Sequence, residues 1–436
     1  MAVDLEALSP EAGRELLRAR GVRGDNDELD EAVADFGGHA LALTLLGSYL
    51  VEFHGGDVRH RAEIPALTEG TEGGGHARRV MASYERMFGD GPELTMLLYL
   101  GLFDRPATSE ALAALRAEPP LLGSVDKRSW QRTLHRLRQV GLVARDVGAG
   151  DQLDAHPLVR EHFGARLKER SLDAWTEGHR RLYEHYRSAA PDLPDTLDQM
   201  EPLFAAVVHG AAAGRHQEVR DEILWRRILR GTEYFLHTKL GAFPAYLACL
   251  APLFTEPWAR PVETQRPQDQ SWLLAEAGYA LRALGRPRGA IEPVEAALDR
   301  YVNGGNWQNA ARATGNLSAL HLVLGDLGRA EARAREAVEH ADRSRDKFLE
   351  IAARARLADA LHQRGTSAPA RRSSRTRSRV SVSGSPPTHS SARSGAIYTA
   401  ISSWSGARRP PSRVAPLRLS SGPPVAVCFS ISPSTT

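Results

Sequence analysis

The chain has 436 residues and a formal net charge of +3, enough length for two or three domains. Two cysteines, Cys249 and Cys428, give neither a disulfide framework nor a metal site. The acidic start Met1-Ala2-Val3-Asp4-Leu5-Glu6 lacks the apolar stretch of a signal peptide, and no apolar run approaches a bilayer span, so a soluble cytoplasmic protein with no membrane partner is expected. The charge is uneven: residues 366–436 hold ten Arg and no Lys, Asp or Glu, so the overall +3 less that +10 leaves residues 1–365 at about −7.

Residues 1–54 read as a helical subdomain. Ser9 before Pro10 and Glu11 marks a capped helix start, with Ala12, Leu16 and Leu17 on one face. Asp25-Asn26-Asp27-Glu28 opens a second helix carrying Leu29, Ala32, Val33 and Phe36, stopped at Gly37-Gly38. The next, from Ala40 to Val51, is apolar nearly all round and must be buried on several sides. Residues 55–79 are Gly-rich and polar and read as a surface connection. His54, His60 and His76 read there as solvated, with no acidic or Cys partner at useful spacing.

Residues 80–170 fit a winged helix. Helices run from Val80 to Phe88 and from Pro92 to Phe103, then a capped start at Thr108-Ser109-Glu110 leads into Ala111 to Leu115. Asp126 opens a helix through Trp130, Leu134, Leu137 and Val140. Leu142 to Arg145 reads as a strand, Gln152 to His156 as its returning partner, and Pro157 starts a helix with Val159, Phe163 and Leu167 inward. Lys127, Arg128, Arg132, Arg136 and Arg138 make one helix basic, which admits DNA binding, although Asp146, Asp151 and Asp154 flank the wing.

Two stretches carry a resemblance. Leu8-Ser9-x-Glu11-Ala12, followed by Phe36-Gly37-Gly38-His39-Ala40-Leu41-Ala42-Leu43, resembles the helical subdomain behind the nucleotide-binding core of NB-ARC proteins, the signal-transduction ATPases with numerous domains (STAND). Ala155-His156-Pro157 aligns with that family's Met-His-Asp motif, with His156 matching and its neighbours differing. The resemblance implies that His156 points at the terminal phosphate of bound ADP. It also implies that Ala40, where the family has Pro, lines the adenine wall. No Gly-x4-Gly-Lys-Ser/Thr phosphate loop occurs in the chain, and no strand–loop–helix core precedes Leu8. The expectation is therefore no catalysis and no cofactor in this chain, with ADP or ATP implied for a full-length relative and a separately encoded ATPase core as a candidate partner.

Residues 171–270 read as degenerate helical hairpins, their aromatic residues and Met200 as core, and Cys249 as a buried, inert thiol. Residues 271–365 repeat every 40. Gly285, Gly325 and Gly365 close helix-like runs, preceded seven residues earlier by Gly278, Ser318 and Ala358. Ala290 and Ala297, then Ala330 and Ala337, follow the first two glycines. Paired helices that cannot bury their faces alone stack into a solenoid. The pattern resembles the tetratricopeptide repeat, which implies protein or peptide ligands. The period exceeds the usual 34, so longer inter-repeat loops are expected, with exposed apolar surface at Leu357 and Leu361 where the third repeat stops.

Residues 366–436, rich in Ser, Arg and Pro, read as a disordered tail. Two origins stay open, a one-nucleotide frameshift near codon 366 or a real basic arm for nucleic acid or acidic partners. The fold expected is mainly all-α: helical subdomain, winged helix, tetratricopeptide-like solenoid and tail. The function expected is a non-catalytic regulatory and sensor fragment that binds protein partners. The alternative is a winged-helix transcriptional regulator binding DNA with its basic tail.

Overall fold

The computed structural model describes residues 7–365 apart from 66–73, 118, 124 and 145–151. The tail expected from Thr366 lies outside the described residues, as do Arg145 and the two residues expected to flank a wing, Asp146 and Asp151. The described chain is all-α, with two very short β-ribbons, and falls within one compact unit. Among the described residues no helix is long and apolar enough to cross a membrane.

The first three helices start where their caps dictate. Helix α1 (Pro10–Ala19) begins after Ser9, whose hydroxyl accepts from the Ala12 N–H at 3.2 Å. Helix α2 (Asn26–Asp35) opens with a reciprocal capping box. The Glu28 N–H donates to Asp25 at 2.8 Å, and the Asp25 N–H donates to Glu28 at 3.1 Å. Helix α3 (Ala40–His54), apolar on all sides, is buried along Ala42–Leu50 except at Thr44.

A 3-10 helix, Val58–Glu63, follows where a bare connection was expected, anchored by the fully buried Val58. Helix α4 (Gly75–Phe88) also starts five residues before Val80. Helices α5 (Pro92–Leu100), α6 (Ser109–Arg116), α7 (Lys127–Gln139) and α8 (Pro157–Arg170) complete the N-terminal half. Helices α5 and α8 touch backbone to backbone: a Cβ on Gly101 would lie 2.3 Å from the Gly164 nitrogen.

Strand β1 (Ala107–Thr108) pairs antiparallel with β2 (Gln152–Leu153). The strand expected over Leu142 to Arg145 is not formed within the described residues. Leu142 and Val143 both turn their N–H groups back to the Leu137 carbonyl, at 3.1 and 3.2 Å. Only Ala144 reaches across, donating to Asp154 at 2.8 Å.

Helix α9 (Leu172–Ala189) joins two cores. Leu182 belongs to the N-terminal core, and Tyr183 opens the second, which runs to Leu320. Helix α10 (Leu197–Ala212) pairs with α9 as a hairpin, but regular hairpins do not continue. Helix α11 (His216–Glu218) runs into a π-helix, Val219–Ile228, where the Leu229 N–H bonds the Leu224 carbonyl five residues back. Helices α12 (Phe235–Thr238) and α13 (Phe243–Leu250) and the ribbon β3 (Phe254–Glu256) with β4 (Arg260–Pro261) follow. Met200, Tyr183 and Tyr246 are core residues, as expected. Cys249 is buried and free, its thiol pushed up to about 12 by desolvation, so it stays a protonated, unreactive group.

The solenoid is built of α14 (Pro267–Ala283), α15 (Pro287–Asn303), α16 (Trp307–Val323), α17 (Leu327–Ser344) and α18 (Lys347–Gln363). Its first helices start 40 residues apart, as the repeat demands. The loops are not longer, contrary to expectation. Turns of three residues suffice, because Gly285, Gly305 and Gly325 take φ of +74°, +67° and +79° and reverse the chain at once. The extra length sits in 17-residue helices. Leu361 also differs from expectation, being only 4% exposed. It occupies the position of Leu281 and His321 in the earlier repeats, both likewise buried.

Candidate functional site

The turn Gly37-Gly38 runs at φ +59° and +64°, and a Cβ on Gly38 would lie 2.6 Å from the Leu8 carbonyl. Glycine is thus required for the chain to enter α3. There His39 caps the helix, its Nδ1 accepting from the Ala42 N–H at 3.3 Å, and Ala40 is the exposed first residue. His156 caps α8 in the same way, its Nδ1 accepting from the Leu158 N–H at 3.2 Å. In both, Nδ1 is the acceptor, so a neutral ring carries its proton on Nε2.

These caps share a corner. Desolvation, then the charges of His39 and Arg160, hold His156 below the ordinary histidine range, against the opposing pull of Asp154. His76, lowered by desolvation and by Arg79 and His39, closes the corner beneath Gly37. Gly74, the cap of α4, packs on Leu158. Three helix N-termini therefore converge where Ala40 and His156 lie, and their amide dipoles favour negative charge.

The basic run of α7 is partly consumed inside the protein. Arg136 bonds Glu52 at 2.8 Å and Glu93 at 2.9 Å, with its guanidinium over Phe53 and Phe88. Lys127, Arg128 and Arg132 remain on the exposed face, and Arg138 is half-buried. Asp154, expected beside a wing, is paired with Arg160.

In the solenoid, all the repeat-defining residues occupy equivalent positions. Ala290, Ala297, Ala330 and Ala337 are fully buried. Gly365 takes φ +84°, like Gly285 and Gly325. Gly278 sits where α14 crosses α15: a Cβ there would lie 2.3 Å from Val294 and 3.3 Å from the Ala290 carbonyl. One repeat later the same crossing is made by Ser318, whose hydroxyl donates to the Ala330 carbonyl at 2.8 Å. Beside the first repeat, the Tyr246 hydroxyl donates to Glu276 at 2.8 Å. Desolvation pushes the Glu276 carboxyl up to about 7, against the lowering hydrogen bonds of Tyr246 and Tyr234. Sequence reasoning placed these tyrosines in the core and missed the acid between them, because 30 residues separate Tyr246 from Glu276.

His54 and His60, read as solvated, stack with ring centres 4.5 Å apart; Glu63 bonds His60 at 2.6 Å and stands 3.8 Å from His54. The signal was present as Glu63 three residues after His60, masked by the Gly-rich composition around it.

No protein-family model matches the chain, and no curated protein matches it. Among solved structures, one similar to this chain is a STAND protein (signal transduction ATPase with numerous domains) with a tetratricopeptide repeat sensor from Pyrococcus horikoshii. It is 15% identical with a TM-score of 0.34, over 86% of this chain and 60% of that chain. This chain thus spans less than two thirds of that protein's length.

Proposed function

We propose that this protein is a non-catalytic regulatory module that captures a protein or peptide partner on its solenoid. The equivalence of positions 40 residues apart supports this reading. Glu276, Asn316 and Arg356 fall at equivalent positions on the first helices of successive hairpins, all half-buried, with the Glu276 carboxyl already engaged by Tyr246. A column of regularly spaced side chains on rigid helices is suited to an extended segment with its own periodic side chains. Peptide-display selection on the full chain tests it. An enriched peptide should lose at least about tenfold in affinity with Asn316→Ala plus Arg312→Ala, the latter half-buried one turn earlier on α16, a loss of about 1.4 kcal/mol, while Asp299→Ala on the exposed side of α15 changes nothing. Selection that enriches no peptide, or a peptide indifferent to α16, sinks the reading.

The N-terminal half belongs to the same proposal as a winged-helix and helical-subdomain pair of NB-ARC kind that performs no ATP hydrolysis by itself. What supports it is the sequence: the chain contains no phosphate loop with Lys and Ser/Thr, the group such chemistry needs. Calorimetry with ADP and ATP, with and without Mg²⁺, should show no binding. Micromolar binding lost in His156→Ala would overturn this part. DNA reading by α7 is the weaker alternative, since Arg136 is spent on Glu52 and Glu93. A salt-sensitive duplex shift abolished by Arg132→Ala would reinstate it.

A further inference from the structure

The end of α3 and the 3-10 helix after it hold three groups whose donor atoms all lie within 4.8 Å of one another: His54, His60 and Glu63. We propose that they form a binding site for a divalent transition metal of the zinc class, with water completing a four-coordinate shell.

The backbone fixes the geometry first. His54 is the last residue of α3, and Gly55 and Gly56 follow at φ +60° and +85°. A Cβ on Gly56 would stand 2.5 Å from the Gly21 carbonyl, so the turn is pressed against the loop after α1. The Arg23 N–H bonds the Gly56 carbonyl at 2.6 Å, and the Val58 N–H bonds the Arg23 carbonyl at 3.1 Å. Asp57 caps the 3-10 helix by accepting from the Arg59 N–H at 3.0 Å. Val58 is fully buried beneath it. The segment that presents His60 and Glu63 is therefore anchored at its start.

The side chains then converge. The two imidazoles stack with centres 4.5 Å apart at 20°, and the Glu63 carboxylate divides itself between them. One oxygen lies 2.6 Å from His60 Nδ1, the other 3.8 Å from His54 Nε2. The first contact is a complete hydrogen bond. The second is too long to be one, and His54 Nε2 is buried with no hydrogen-bond partner among the described residues. A buried imidazole nitrogen turned toward a carboxylate that it cannot reach is unfavourable for a purely structural cluster, and it is the arrangement that a cation between them would satisfy.

The surrounding charges agree. His54 ends α3, where the helix dipole favours a cation. Arg59 is held by Asp57, and Arg61 by Glu31 and Asp35, so these neighbouring guanidiniums are directed to other carboxylates. Two imidazoles and one carboxylate, with an open fourth position, make a donor set suited to zinc and its neighbours rather than to calcium or magnesium, which prefer all-oxygen shells. Zinc ligands lie about 2.0–2.2 Å from the ion, which puts donor atoms about 3.3 Å apart. His54 and Glu63, 3.8 Å apart, must therefore close in slightly, while His60 and Glu63, at 2.6 Å, must open by a similar amount. The side chains of His60 and Glu63 are 42% and 55% exposed and turn without disturbing the core, while His54, at 13%, stays fixed.

The test uses the untagged full chain stripped of metal, titrated with Zn²⁺ by calorimetry and with Co²⁺ by visible absorption. The expected result is one ion per chain and the intense ligand-field bands of four-coordinate cobalt. His54→Ala and His60→Ala should each weaken binding at least about 100-fold, and Glu63→Gln at least about tenfold. His76→Gln, in the neighbouring corner, should leave binding unchanged. If His54→Ala misfolds by circular dichroism, the outward-facing His60→Ala decides the matter alone. No stoichiometric binding at micromolar zinc overturns the site, and so does binding that survives His60→Ala. X-ray absorption showing other than two imidazole nitrogens in the shell overturns it equally.

Discussion

At the scale of single residues, the least visible feature in the sequence is the pair His179 and His209. They sit 30 positions apart in α9 and α10, yet their Nδ1 atoms meet at 2.9 Å inside the protein. The Tyr186 ring stacks on His209 with centres 5.4 Å apart, and Trp175 meets His179 edge-on. One imidazole donates and the other accepts, so a proton on the acceptor breaks the bond. Desolvation is the main cause that lowers both to about 3, and for His179 the neighbouring His209 adds to it. Folded-state values below the unfolded 6.5 mean that the unfolded chain takes up protons first. The stability these residues contribute is therefore complete above about pH 6.5 and drains away as pH falls toward 3. Each histidine still neutral at pH 4.5 accounts for a loss of about 2–3 kcal/mol there. Urea melts of the wild type and His179→Gln across pH 7 to 4.5 should show a shallower acid slope in the variant; equal slopes would refute it. Short-range signals such as Ser9, Asp25 and Glu28 were legible because a cap is local. A contact made by two helices packing side by side leaves no mark in either.

At the scale of elements, glycine spacing carried the most information, and it carried two different meanings. Gly285 and Gly325 end helices at positive φ, and a Cβ on either would meet nothing within 4 Å. Gly278 has ordinary helical geometry and is required instead by Val294, 2.3 Å from where its Cβ would lie. Gly278→Ala should therefore destabilise by about 1–3 kcal/mol through overpacking. Gly289→Ala in the first turn of α15, where a Cβ meets nothing and φ is ordinary, should stabilise by about 0.5–1 kcal/mol. Thermal melts of the two variants should move in opposite directions, and a shift of the same sign in both would contradict this account. The sequence showed these positions as one repeat and could not separate turn from crossing. Residues 216–261 were illegible for another reason. A π-helix, short 3-10 turns and a bulged ribbon have no fixed period, so no template of 3.6 or 2 residues picks them out.

At the scale of the molecule, the all-α class and the solenoid followed from periodicity alone, whereas the continuity of the N-terminal half with the solenoid did not. Helix α9 supplies Leu182 to one core and Tyr183 to the next, so adjacent residues look into different interiors. A sequence read domain by domain draws a boundary near Ser171; packing carries α9 across it. The proposed partner-binding surface would take its dimensions from the other departure from expectation. Seventeen-residue helices, rising about 1.5 Å per residue, are about 25 Å tall. An extended chain advances about 3.3 Å per residue, so a ligand strand lying along one such helix is spanned by about eight residues. If the solenoid binds as proposed, the additional height per repeat would lengthen the segment it can read by more than one residue, without lengthening any loop.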